Sequence, residues 1–175
     1  KTEGLHTDQN PIRKSGFCCV QGMVPLYDVT GLTGGLEVVP SSHLPPARDA
    51  LAARCGEAEL RALGDFCRAP PGHHEPSEAR LVLAAAGDLI LWDSRTMHGG
   101  KVGTGAGDDG GEGAQLARLT IPICMTPRSM ASDQVSRDRL AMFAEGKTTN
   151  HWPHEPRVQN QVSLGYVPIE LSPAQ

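Results

Sequence analysis

Apolar and polar positions alternate along this chain in short runs. Residues 16–27, "GFCCVQGMVPLY", carry no charge and predict a strand, with Pro25 marking an edge or a bend near its end. Gln21 and Met23 fall on one side of that strand, where they line a pocket floor or pack into the core. "DVTGLTGG" (28–35) is turn chemistry, and "LEVVPSSH" (36–43) predicts a second strand closed by Pro40. The two strands are expected to pair like a hairpin around the glycine-rich loop. Residues 46–64 are rich in Ala, Leu, Glu and Arg, a helical composition interrupted at Gly56. A polar loop follows at 68–79. "RLVLAAAGDLILWD" (80–93) reads as strand, turn, strand, with Leu89 and Leu91 on one face and Ile90 and Trp92 on the other. Residues 102–115 lack apolar periodicity and predict a surface loop, 116–125 a strand, and 132–146 a helix with Ser132 or Asp133 as N-cap and Gly146 as its stop. The remaining tail is Pro-rich and is expected to be irregular. No internal repeat is present. This ordering predicts a mostly β fold, an antiparallel barrel or jelly roll with a few helices added.

Composition narrows the class. The chain has 175 residues, enough for one compact domain with a real core. Its hydrophobic fraction is 39% and no apolar run approaches the roughly 20 residues of a membrane span, so no membrane role is expected. The net charge of −4, with both signs mixed along the sequence, argues against a nucleic-acid surface. Twenty glycines and fourteen prolines with few aromatics fit short strands and many turns. The five cysteines are odd in number and contain no C-x-x-C, which argues against a disulfide framework and for a reducing, intracellular and cytoplasmic location. The first residue is Lys, so N-terminal targeting cannot be assessed from the chain itself.

The candidate chemistry begins at "HTDQ". His6 and Asp8 are two apart, so on a strand both point to the same face while Thr7 points away. His98, in "WDSRTMHGG", lies past the end of an apolar strand, where a barrel mouth would be. Two imidazoles and one carboxylate on one face of a metal leave open positions opposite, the ligand pattern of non-haem Fe(II) oxygenases. Arg118 opens the run "RLTIPI". If that strand lies beside the one ending at His98, its guanidinium fork can pair with a dicarboxylate that chelates the metal at its other end. Thr120 shares the face of Arg118 and adds a hydroxyl donor.

The order "HTDQ", "GLTGGLEVVPSSH", "GDLILWDSRTMHGG", "RLTIPI" resembles the phytanoyl-CoA dioxygenase family over residues 5 to about 128. The resemblance implies a double-stranded β-helix (a cupin-like jelly roll). It implies metal ligation by His6, Asp8 and His98, and binding of the far carboxylate of 2-oxoglutarate by Arg118. The implied cofactors are Fe(II), 2-oxoglutarate and O2. The implied reaction is oxidative decarboxylation of 2-oxoglutarate to succinate and CO2, coupled to hydroxylation of a small organic substrate. A carboxylate at position 8 occupies the place that related halogenases leave for chloride, which favours hydroxylation. This chain departs from the family pattern in a longer interval between His98 and Arg118, filled by the Gly/Asp loop at 103–114, and in Gly100 where relatives often carry Ser. It also begins at the metal motif. The expectation is therefore a single partial domain over 1–175, with its core at 5–128, a C-terminal helix and irregular tail at 129–175, and its N-terminal part outside the chain.

Other polar clusters have plainer readings. Arg95 is expected to pair with Asp93 or with a substrate group, and Arg128 is a further rival to Arg118. His43 is expected to cap the "VPSSH" turn. His73, His74 and Glu75 lie in a Pro/Gly loop and read as solvated, and His151 and His154 flank "WP" without a third ligand. Two competing functions keep the same fold: a non-catalytic binding module, and a Zn(II) hydrolase that would use Glu37 as general base. A small-molecule substrate is expected.

Overall fold

Strands pass from one sheet to the other as the chain advances. The structure is a computed structural model, and it describes residues 4–74, 77–105, 118–145, 147 and 150–155. Its strands are β1 (His6–Thr7), β2 (Val20–Pro25), β3 (Gly34–Val38), β4 (Cys67–Arg68), β5 (Arg80–Leu81), β6 (Ile90–Asp93), β7 (His98–Val102) and β8 (Thr120–Met125). A five-stranded sheet has the order β4-β1-β7-β3-β5, and a three-stranded sheet the order β6-β2-β8. Thus β1, β2 and β3 alternate between the sheets, and β5, β6, β7 and β8 do so again. That alternation is the winding of a double-stranded β-helix, and the fold is mostly β as expected.

The hairpin expectation for 16–27 and 36–43 is overturned. β2 pairs antiparallel with β6, Gln21 opposite Trp92, while β3 pairs with β7, Val38 opposite His98, and with β5. The intervening turn carries the chain across to the other sheet instead of doubling it back. Likewise β5 and β6 do not form one hairpin but enter different sheets. The turn between them is as expected: Gly87 has φ 90° and the Ala85 N–H donates to the Asp88 carboxylate at 2.8 Å.

Helices α1 (Pro45–Cys55) and α2 (Glu57–Ala62) follow β3. Paired prolines preset the first turn of α1, and Gly56 at φ 88° breaks the run where expected. Leu51 and Leu60 anchor these helices in a core with Val39, Cys67 and Met97. Strand alternation then divides the five-stranded sheet. Thr7 on β1 and its partner Cys67 on β4 are both buried away from the face that carries His6. On the three-stranded sheet Leu89, Leu91, Leu119 and Ile121 are exposed, so Ile90, Trp92 and Gln21 occupy the inward side.

The chain divides into two compact units, Lys1–Ile123 and Cys124–Gln175. In the second, α3 (Asp133–Ala144) starts at Ser132, whose hydroxyl accepts from the Val135 N–H at 3.2 Å. Trp152 is buried in this unit and flanked by the rings of His151 and His154. Its carbonyl accepts from Arg139 at 3.3 Å. The expected stop at Gly146 lies outside the described residues, as do most of the 103–114 loop and the tail beyond 155. No helix among the described residues is long and apolar enough to cross a membrane.

Candidate metal centre

His6 and His98 are direct antiparallel partners on β1 and β7, which sets their rings 4.5 Å apart on one face of the sheet. The close approach of these strands requires Gly99. A Cβ there would lie 2.9 Å from the Gly4 carbonyl oxygen. That same carbonyl is 2.9 Å from Nδ1 of His6, and the Thr96 carbonyl is 2.9 Å from Nδ1 of His98. Each carbonyl can only accept, so each Nδ1 carries a proton, and in the neutral ring Nε2 is then the nitrogen with a lone pair for a metal. The carboxylate of Asp8 lies beside both Nε2 atoms: His6 Nε2 is 3.7 Å from Oδ1 and His98 Nε2 is 3.4 Å from Oδ2. One ligand atom from each of the three residues lies within 4.8 Å of the others. Nitrogen and oxygen donors spaced this way fit a divalent ion held at bonds of about 2.1 Å, and the pair of neutral imidazoles with one carboxylate suits Fe(II) or Zn(II).

The residues around the triad hold it in place. Gln21 is buried and its Nε2 donates to Asp8 Oδ2 at 2.7 Å. Among the described residues, Gln21 Oε1 and Trp92 Nε1 are buried with no hydrogen-bond partner. The Trp92 ring lies 5.4 Å from that of His98. On the far side of β1, the Thr7 hydroxyl contacts the carbonyls of Ser94 and Arg95. Gln9, fully buried, accepts from the Ser94 hydroxyl at 2.6 Å and donates to the carbonyls of Lys14 and Gly16. Arg48 closes the same loop from α1, donating to the carbonyls of Gln9 and Lys14 at 3.2 Å each. Burial and the nearby Arg95 lower the Arg48 pKa below the ordinary arginine value.

The turn "VPSSH" acts on the second histidine. Ser42 Oγ accepts from the Met97 N–H at 2.8 Å, and the Val39 N–H donates to the Met97 carbonyl at 2.8 Å. Arg95 pairs with Asp93, Nη2 to Oδ2 at 2.6 Å. Burial raises the Asp93 pKa, but the bonds from Arg95 outweigh it and hold the carboxyl below its ordinary value of 3.8. This is the Arg95–Asp93 pairing expected from the sequence.

Arg118 stands apart from these contacts. The strand it precedes, β8, neighbours β2 and not the strand before His98, so the expected adjacency is corrected. The Leu26 N–H donates to the Leu119 carbonyl at 2.9 Å. Arg118 is exposed, as are Leu119 and Ile121, and it precedes the first residue of β8, the half-buried Thr120. Among the described residues nothing pairs with the Arg118 guanidinium. Arg128 instead binds Asp133 at 2.7 Å. The His73 and His74 rings meet edge to face at 4.3 Å and His74 lies 3.5 Å from Glu78, while Glu75 lies outside the described residues. The triad is the one group of three or more candidate ligands among the described residues.

Sequence reasoning missed Phe66 and Arg68. Arg68 fell in a segment read as a polar loop, whereas it opposes His6 in β4 and its guanidinium sits 6.0 Å from the Phe66 ring centroid. The Phe66 ring lies 4.6 Å from that of His6. The signal available was the alternation in "FCR", too short to separate from noise.

The profile of the phytanoyl-CoA dioxygenase (PhyH) family matches residues 2–107. No curated protein matches at a significant level. Among solved structures, EvdMO1 shares 22% identity at a TM-score of 0.42, covering 73% of this chain and 23% of its own. The non-heme monooxygenase ThoJ shares 18% at 0.43, covering 73% and 41%. EvdO2 from Micromonospora carbonacea var. aurantiaca, complexed with 2-oxoglutarate, shares 17% at 0.45, covering 73% and 46%. The chain thus spans less than half the length of each of these structures.

Proposed function

This chain belongs to the phytanoyl-CoA dioxygenase family, and on that premise we propose that it carries the metal centre of an Fe(II)- and 2-oxoglutarate-dependent oxygenase that hydroxylates a small organic substrate, releasing succinate and CO2. The observation that carries the reading is the convergence of His6 Nε2 and His98 Nε2 on the Asp8 carboxylate, each imidazole fixed through its Nδ1 by a backbone carbonyl. His6, Asp8 and His98 are the proposed ligands. Fe(II), 2-oxoglutarate and O2 supply the oxidation when bound. Arg118, exposed and unpaired among the described residues, is the proposed anchor for the far carboxylate of 2-oxoglutarate, with Thr120 two residues on. The two neutral imidazoles and one carboxylate leave the centre with one negative charge, which offsets half that of a divalent ion.

A Zn(II) hydrolase is disfavoured by the position of its required base. Glu37 opposes Gly99, one residue out of phase with the Val38–His98 pair, so its side chain lies on the opposite face of the sheet from the histidines. A non-catalytic module is tested directly. Iron binding is measured anaerobically in wild type, His98→Ala and His73→Ala. One Fe(II) per chain in wild type and His73→Ala, with loss in His98→Ala, is expected. Equal, weak binding in all three would refute the site.

A further inference from the structure

We propose that Phe66 and Arg68 form a substrate subsite at the lip of the metal centre, and that it takes the carboxylate of a substrate whose neighbouring portion is apolar. This rests on the oxygenase reading above and names the substrate class for the same site.

Geometry places both side chains there. Arg68 is the register partner of His6, so it projects from the face that carries the two histidines. Phe66, two residues earlier, shares that face, while Cys67 between them turns into the core. The Phe66 ring packs against His6 at 4.6 Å and yet stays 40% exposed. Its outer edge is therefore apolar surface directly beside a proposed ligand. Above it sits the exposed Arg68 guanidinium, 6.0 Å from the ring centroid. No carboxylate among the described residues pairs with it. The arginines that brace the fold behave differently: Arg48, Arg95 and Arg139 are all spent on carbonyls or a carboxylate.

A guanidinium fork offers two parallel charge-assisted bonds to a carboxylate, and the aromatic plate below it accepts an apolar chain. The fork lies on the edge strand of the five-stranded sheet, whereas Arg118 precedes a strand of the three-stranded sheet. Two cations on different sheets suit two different anions, the co-substrate and the primary substrate.

The test uses 3-phenylpropionate and 3-phenyl-1-propanol, which share an apolar body and differ in charge, measured by saturation-transfer NMR on the full chain held metal-free in EDTA. In wild type the acid is expected to bind about tenfold or more tighter than the alcohol. Arg68→Gln should abolish that preference, and Arg68→Lys should retain part of it. In a parallel arm, 2-oxoglutarate affinity is measured on Zn(II)-loaded wild type and Arg68→Gln, and it should agree within about twofold. No preference for the acid in wild type, or a preference that survives Arg68→Gln, overturns the proposal. So does an equal loss of 2-oxoglutarate binding, which would assign the cation to the co-substrate. Failure of the wild type to take up metal or 2-oxoglutarate refutes the oxygenase reading instead, and the metal-free arm is read independently of it.

Discussion

Gln21→Met removes the buried amide that donates to Asp8 and keeps nearly the same side-chain length. The lost contact is a 2.7 Å bond to Oδ2 of a carboxylate. Such charge-assisted bonds contribute about 1.5–3 kcal/mol, equivalent to roughly 10- to 100-fold in an equilibrium constant. Outer partners of metal ligands change metal affinity by the same range, about 10- to 100-fold. Stability of the metal-free protein should respond differently. Among the described residues Gln21 Oε1 is already buried without a partner, so removing the amide also removes a desolvated acceptor. The two effects oppose each other, and the metal-free unfolding midpoint should barely move. Metal affinity is measured anaerobically by competition between the protein and a chromophoric chelator for Co(II). A weakening of about 10-fold or more with an unchanged metal-free urea midpoint is expected. Equal affinity for Co(II) in wild type and variant would refute the argument that this amide orients Asp8. A collapse of metal-free stability would assign Gln21 to packing.

Other outcomes follow from the same contacts. Gly99→Ala sets a methyl 2.9 Å from the Gly4 carbonyl that orients His6, so it should cost about 1–3 kcal/mol in urea unfolding and weaken Co(II) binding as well. Asp93 has a folded pKa below its ordinary 3.8, so its pairing with Arg95 adds stability that is fully present above that value and is lost as pH falls through the lower folded value. Urea midpoints of wild type should therefore drop more steeply below about pH 4 than those of Asp93→Asn, and parallel curves would contradict this. Burial first, then the neighbouring Cys55, pushes the Cys67 thiol up to about 12. Iodoacetamide at pH 8 should leave Cys67 unmodified in the folded protein and label it in urea, read by peptide mass spectrometry.

The sequence carried the candidate triad better than the strands that hold it. "HTD" is legible because the two-residue period of a strand sends both side chains to one face. The helix break at Gly56 and the Ser132 cap were legible because their chemistry is local. β7 was not, since "HGGKV" has little β-propensity; Gly99 serves close backbone approach, meeting Gly4 across the sheet. The partner of β2 was misread because nearest-neighbour pairing is the default for antiparallel strands, and a fold that winds between two sheets violates it at every step. Arg68 was hidden by a strand of two residues, too short to show a period. The buried network of Gln9, Ser94 and Arg48 gave no pattern at all, because partners as far apart as 85 positions are joined only by the fold.

The central claim is that the triad holds iron in a form that binds 2-oxoglutarate. Anaerobic addition of Fe(II) and then 2-oxoglutarate to the full chain tests it most directly. The account predicts a weak visible charge-transfer band that saturates at one equivalent of each, is absent in His6→Ala and intact in His73→Ala, and gives way to succinate on admission of air. No band and no succinate from the wild type would contradict it.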